Sequence, residues 1–141
     1  MAAFNKYNTF ADEVSKGGHN LQSAVLKVAL TNTAPTAASD TVWNTTVAPA
    51  PAAASGYTAG GNTITTSSAA TTSGTFKLVL ADSVFTASGG SIGPFRYAVI
   101  YNSSATNKVV GYYDYGSSAT LADGETFTVD FDATNGVLTI G

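Results

Sequence analysis

The last third of the chain, residues 95–141, alternates apolar and polar side chains with the period of two that an extended strand imposes. In its TFTVDFD segment, Phe127, Val129 and Phe131 share one face, and the threonines and aspartates between them share the other. The segments FRYAVIYN, VVGYYDY and VLTI have the same strand character, and turn dipeptides such as Asp123-Gly124 separate them. The pattern predicts antiparallel sheet structure with one buried and one solvated side.

Further strands are predicted upstream of these four. Residues 25–31, VLKVALT, alternate in the same way and should be buried on at least one face. Residues 57–66 and 75–81 are predicted to pair as a hairpin, with a bend or bulge at Gly60-Gly61. Residues 84–87 add one more short strand.

The N-terminal segment has helical rather than strand spacing. Phe4, Tyr7 and Phe10 recur every three residues, which favours a short amphipathic helix over residues 4–15. The Gly17-Gly18 pair supplies a C-terminal stop. The apolar face of this helix is predicted to act either as a lid over one end of the sheet or as a contact surface for a partner.

Residues 33–56 interrupt the regular pattern. They are rich in Ala, Pro, Ser and Thr, and Trp43 is their only aromatic side chain. This composition predicts an extended surface arm at about 33–56. Taken with the strand count, the sequence predicts one all-β domain over residues 1–141. Its expected architecture is an antiparallel β-sandwich or jelly roll of about eight strands with a short N-terminal helix.

The charge balance excludes several function classes. The net charge is −3, and the six basic residues are spread singly, whereas nucleic acid requires clustered Lys and Arg. We therefore expect no nucleic-acid partner. The sequence has neither a run of about 18 apolar residues nor a basic segment followed by an apolar run, so no membrane span and no signal peptide are predicted. The chain has no cysteine and therefore no disulfide.

Residue types that usually carry catalysis are sparse. His19 is the only histidine, and it has no cysteine or second histidine to complete a metal or nucleophile site, so we expect a capping or surface role. Asp130 and Asp132 would lie about 7 Å apart on one strand face, an alternative that fits a small glycoside hydrolase. Alternating acids more often form a solvated strand face. We predict no catalytic residue, no cofactor and no metal site, and hence a protein that is not an enzyme.

The tyrosines offer a second alternative. Tyr112, Tyr113 and Tyr115, with Trp43 elsewhere, are the residue types that sugar-stacking platforms use. Tyr113 and Tyr115 share a strand face while Tyr112 points the other way, so at least part of this set must be core. Core or protein interface is the preferred interpretation, since tyrosine also favours interfaces.

Two segments, SGGSIGPFRYAVIYN at residues 88–102 and GYYDYGSSATLADGETFTVDF at residues 111–131, resemble small virion structural proteins of tailed bacteriophages. FNKYNTFADEVSKGGHNL and VLKVALTNTAPT extend the resemblance over most of the chain, with residues 43–56 least matched. By size and strand content, the chain resembles the capsid decoration, or cement, proteins that lie outside the major capsid protein. The resemblance implies a small jelly-roll-like fold and dimers or trimers at local symmetry positions.

From this resemblance we expect a non-enzymatic cement protein that binds the outside of the phage head and stabilises it by bridging adjacent major capsid protein subunits. It would be a homo-oligomer, made in the host cytoplasm and located on the outer surface of the virion. The alternative is a tail-associated receptor-binding or carbohydrate-binding virion protein. The candidate residues for contacts with the capsid or with another copy are Phe4, Tyr7, Phe10, Trp43, Pro49, Pro51 and Tyr112.

Overall fold

The computed structural model describes residues 2–44 and 54–141. Within them the chain forms ten β-strands, one α-helix and a short 3₁₀ helix at Ser103–Ala105. In chain order, the main elements are β1 (Phe4–Lys6), α1 (Asn8–Ser15), β2 (Leu26–Thr31), β3 (Asn62–Thr63), β4 (Thr66–Thr72), β5 (Thr75–Leu80), β6 (Ser83–Thr86), β7 (Ile92–Asn102), β8 (Lys108–Leu121), β9 (Thr126–Val129) and β10 (Leu138–Ile140). The predicted all-β sandwich class is confirmed.

The strands form three antiparallel sheets. The largest has the order β1-β8-β7-β2-β3, and its two longest strands, β7 and β8, pair with each other. The second has the order β10-β5-β4, and β6 pairs with β9 as the third. The last four strands therefore do not share one sheet, although each was predicted from its own alternation. Local alternation defines a strand, but it does not define which neighbour that strand will pair with.

One face of the large sheet packs against strand β9 and the residues that follow it. Tyr113 of β8 packs on Phe131, with ring centroids 5.9 Å apart, and Phe95 of β7 packs edge-on against Phe127 at 4.9 Å. Phe131 and Val129 are almost completely buried, and Phe127 is partly buried. The apolar face predicted for the TFTVDFD segment is therefore confirmed as part of the core.

The opposite face of the large sheet is covered by the segment that follows β2. Trp43 is 4% exposed, and its indole stacks on Tyr101 of β7 with centroids 5.7 Å apart. Its backbone N–H donates to the carbonyl of Asn107 at 2.7 Å. Most residues of the predicted arm between 33 and 44 are exposed. Trp43 is the buried exception, because the folded sheet offers the indole an apolar partner that is distant in sequence. Residues 45–53 of the predicted arm lie outside the described residues.

The N-terminal segment begins as a strand, so its predicted helix is wrong for the first turn. Phe4–Lys6 pairs with β8, and α1 begins only at Asn8. The Phe4 ring occupies the space that a side chain at position 111 would need, so it packs directly against Gly111. The spacing of residues in the sequence does not reveal this contact. Phe10 of α1 is 1% exposed, so the helix acts as a lid on the core. In the described part of the chain, no helix is long and apolar enough to cross a membrane.

The hairpin in the middle of the chain uses a strand that the pattern did not predict. β4 and β5 pair across Ser73-Gly74, whose φ angles of 50° and 81° suit a two-residue hairpin turn. The β4 sequence TSSAATT has no apolar alternation, because β4 is an edge strand and mostly exposed. The predicted partner, residues 57–66, contributes β3, which pairs with β2, and only its last residue, Thr66, belongs to β4. The predicted bend at Gly60-Gly61 is confirmed, since both glycines have positive φ.

Candidate functional site

An open cavity of about 470 Å³ lies where β8 passes the end of β9. Strand alternation places Thr128 and Asp130 on one side of β9 and the buried Val129 on the other. The two strands belong to different sheets, so the cavity exists only because those sheets pack together. Its lining consists of Ala2, Tyr113, Asp114, Tyr115, Thr128 and Asp130.

Tyr113 is the most buried residue of this lining. It is 4% exposed, and its ring is enclosed by Phe4, Phe131 and Tyr115, whose centroids lie 5.6, 5.9 and 6.4 Å away. The Tyr113 hydroxyl has no hydrogen-bond partner among residues 2–44 and 54–141, and it is not sealed from the open cavity. The Tyr113 ring therefore forms a fixed part of the cavity lining, and its hydroxyl is available for a further hydrogen bond.

The surroundings of this hydroxyl are negatively charged. Burial raises the pKa of Tyr113 to about 12, and the charges of Asp130, Asp132 and Asp82 act in the same direction. Burial also raises the pKa of Tyr115, with Tyr113 and Asp130 adding to the effect. Both phenols are therefore protonated at neutral pH, and the negative charge of the cavity resides on carboxylates.

The two carboxylates of the lining differ in their partners. Asp114 pairs with Arg96 through two contacts, Nε to Oδ1 at 2.7 Å and Nη2 to Oδ2 at 3.0 Å, and it also accepts the N–H of Gly116. The hydrogen bond from Arg96 is the main reason why the pKa of Asp114 lies below its usual value. Asp130 is exposed and has no hydrogen-bond or ion-pair partner within the described chain. The cavity therefore presents one carboxylate whose charge is uncompensated.

Asp132 stabilises a turn through its side-chain oxygens. It is the other member of the acid pair considered for a glycoside hydrolase. Its Oδ1 accepts the backbone N–H groups of Thr134 at 2.9 Å and Asn135 at 2.7 Å, and its Oδ2 accepts the Asn135 side-chain amide. Hydrogen bonds from Asn135 hold the pKa of Asp132 below its usual value, because they stabilise the charged form. Asp132 is not part of the cavity lining, so the cavity does not bring the two acids together.

His19 lies in the core, so the prediction of a capping or surface role is wrong. It is 8% exposed and packs on Phe10 at 5.1 Å. The Oδ1 of Asn102 accepts the N–H of Ser104 at 3.0 Å, which leaves the Asn102 amide nitrogen to donate to Nδ1 of His19 at 3.1 Å. The neutral ring therefore carries its proton on Nε2, which is buried without a partner in the described part of the chain.

Five of the residues predicted to contact a partner pack in or against the core of the chain. Tyr7 is 2% exposed, and Tyr112 packs on it with ring centroids 5.2 Å apart. Aromatic spacing identified apolar residues but could not separate internal contacts from external ones. Pro49 and Pro51 lie outside the described residues. The candidates that pack in or against the core are Phe4, Tyr7, Phe10, Trp43 and Tyr112.

The sequence pattern singled out Tyr113, Tyr115 and Asp130 as separate candidates, and it did not single out the other lining residues, Ala2, Asp114 and Thr128. The available signal was strand-face parity, which groups Thr128 with Asp130 and Tyr113 with Tyr115. The meeting of these two faces depends on sheet packing, which no local period encodes. Among residues 2–44 and 54–141, no group of three His, Asp or Glu side chains is arranged to hold a metal ion.

Comparisons of this chain with protein-family models, with curated proteins and with solved structures found no match. Its function must therefore be argued from its own residues and fold.

Proposed function

We propose that this chain is a non-enzymatic decoration (cement) protein of a tailed-bacteriophage head, which binds outside the shell and bridges adjacent major capsid protein subunits. The observation that carries the proposal is the location of the segments that resemble phage virion proteins. Residues 88–102 contain β7, and residues 111–131 contain most of β8 and all of β9. The resemblance therefore concerns the framework of the sandwich rather than a peripheral loop.

The folded domain has the rigidity that a protein needs if it is to hold a capsid shell together. Its three sheets share one cluster of buried apolar residues, and the segment 33–44 is hydrogen-bonded to the start of α1 and to the start of β8. A rigid unit loses little conformational freedom when it docks. Copies placed by the symmetry of a shell add many weak contacts into a strong total attachment.

The exposed surface supports close packing against other subunits. Charged residues make up 11% of the chain, so few charges would have to be removed from water at an interface. Val25, Val42 and Val84 are each about half exposed, at 46%, 45% and 51%. These separate valines are available as contact points in place of the internal aromatic residues.

The proposal includes assembly as a homo-oligomer, a dimer or trimer, on the outer surface of the virion after synthesis in the host cytoplasm. A closed oligomer can occupy a local symmetry axis and contact several capsid subunits at once. Sedimentation velocity of the purified chain checks this part. A monomer at every accessible concentration would contradict a preformed oligomer and leave assembly to the shell itself.

Cryo-electron microscopy of the virion that carries this protein tests the proposal directly. Density repeated over the local symmetry axes of the head, seated between neighbouring capsid subunits, is the expected result. Heads that lack the protein should then lose mechanical or thermal resistance and regain it when the purified protein is added.

Density confined to the tail tip would overturn the cement function. It would favour the alternative, a tail-associated receptor-binding or carbohydrate-binding protein. Two residues of the sugar platform considered for that alternative make contacts within the chain, since Trp43 stacks on Tyr101 and Tyr112 packs on Tyr7.

A further inference from the structure

The cavity between β8 and β9 contains recognition groups that the fold itself does not use. We propose that it binds a basic side chain, an arginine or a lysine, that a partner protein presents at the attachment surface. The identity of the partner as a capsid subunit rests on the proposed function. The affinity of the cavity for a basic group does not, and it can be measured on the purified protein alone.

Charge complementarity identifies the occupant. Asp130 is the acidic group of the lining without a compensating partner, and the chain as a whole carries a net charge of −3. No lysine or arginine belongs to the lining. The nearby Arg96 is held by both oxygens of Asp114, and its guanidinium lies 5.2 Å from the centre of the Tyr97 ring. No basic side chain among the described residues of the lining balances Asp130, which leaves this carboxylate open to a cation that another molecule supplies.

An independent observation comes from Tyr113. Its side chain reaches the cavity wall, is 4% exposed, and ends in a hydroxyl without a partner among the described residues. A guanidinium or ammonium group donates hydrogen bonds only, and a neutral phenol oxygen can accept one. The Tyr113 hydroxyl and the Asp130 carboxylate are thus two acceptors that a single basic group can use together.

The size of the cavity fits the same ligand. A volume of about 470 Å³ accommodates a long side chain. A sugar fits less well, because it needs an open flat ring. Tyr113 is enclosed by other rings, and Tyr115 is held edge-on against Phe127 at 4.9 Å and 84°.

Titration of the ¹⁵N-labelled protein with Nα-acetyl-arginine amide, followed by NMR, tests the proposal. We expect saturable shifts of the Tyr115, Thr128 and Asp130 amides at an affinity of about millimolar, which is ordinary for one side chain. The citrulline analogue has nearly the same shape without the charge and should produce no saturable shift. Added salt should weaken the arginine binding, since the cavity is open to solvent.

Two variants of the cavity and one control sharpen the test. Asp130→Asn keeps the size of the side chain and should lower the affinity by about tenfold, as loss of one partly enclosed charge pair would. Tyr113→Phe keeps the ring and removes the hydroxyl, so it should weaken binding by several-fold. Asp12→Asn makes the same charge change on α1, where the Asp12 side chain is 60% exposed and pairs with Lys16, and should bind normally.

The proposal is overturned if the arginine derivative gives no saturable shift, if citrulline binds equally well, or if Asp130→Asn and Asp12→Asn behave alike. Saturable shifts of the same amides by a neutral oligosaccharide alone would assign the cavity to glycans instead. Co-sedimentation with heads separates this inference from the cement function. If Asp130→Asn loses arginine but still binds heads normally, the cement function stands and the cavity is not its contact.

Discussion

His19 shows how a chain of hydrogen bonds fixes the charge of a buried side chain. Protonation of Nδ1 would place a hydrogen against the Asn102 amide, which already donates to that atom. Burial lowers the pKa of His19, the charge of Lys108 acts in the same direction, and Glu13 opposes them. Glu13 and Lys108 form an ion pair with each other, so they partly offset one another at the ring.

The first prediction concerns stability and pH. The folded-state pKa of His19 lies below the ordinary value of 6.5, so the unfolded chain binds more protons between these two values. The stability that depends on the neutral ring should be complete above about pH 6.5 and decrease as the pH falls below it. Urea unfolding at pH 7.5 and pH 5 measures this difference. In His19→Gln, the difference between the two pH values should shrink, and an unchanged difference would contradict the assignment.

The second prediction separates two phenylalanines on the same strand face. Phe131 is 2% exposed, so Phe131→Ala should lower the free energy of unfolding by about 3–5 kcal/mol. Phe127 is only partly buried, so Phe127→Ala should cost less than about 3 kcal/mol, the lower end for a fully buried ring. Chemical denaturation of both variants checks the order. An equal loss in the two would mean that Phe127 is as enclosed as Phe131.

At the scale of elements, the close approach of two segments decides where glycine is required. Gly61 precedes β3 and has a φ of +80°. A Cβ atom there would overlap the carbonyl oxygen of Val28 in β2. Gly74 in the β4–β5 turn has nearly the same φ, +81°, but a Cβ atom there would meet open space. The two positions share the backbone constraint and differ only in the contact.

This comparison gives the third prediction. Gly61→Ala should destabilise the fold by about 2–5 kcal/mol, since overpacking adds to backbone strain. Gly74→Ala should cost only the strain, about 1–2 kcal/mol. Thermal unfolding of the two variants measures the difference between them. Equal losses would show that the contact with Val28 contributes nothing.

The strands differ in how well the sequence pattern predicted them. Alternation of residue types located strands β7, β9 and β10, although the second half of β7 is buried on both faces in the folded chain. It missed β1, which has only three residues and whose Phe4 ring packs against Gly111. It also missed β4, whose small polar side chains lie at an exposed edge of its sheet. Phe4, Tyr7 and Phe10 have helical spacing in the sequence, but Phe4 lies in β1 and pairs with β8 instead of joining the helix.

At the scale of the whole molecule, the fourth prediction asks whether residues 33–44 unfold with the sandwich. Trp43 is the single tryptophan of the chain, and it stacks on Tyr101 of the large sheet. Tryptophan fluorescence therefore reports on this segment, while circular dichroism reports on the strands. The two signals should change at the same denaturant concentration, as one cooperative unit requires. An earlier change in fluorescence would mean that the segment detaches first, as an arm would.

The sequence by itself determined the class of structure and most of the strands, because alternation and turn dipeptides are local and each strand carries its own pattern. It also determined that acids outnumber bases and that no cysteine is present. Only the tertiary structure decided that Trp43 is internal, that His19 is neutral beside Asn102, and that Asp130 and Tyr113 line the same cavity. Each of these depends on residues far apart in the chain that meet when the sheets pack, and no local period records such meetings.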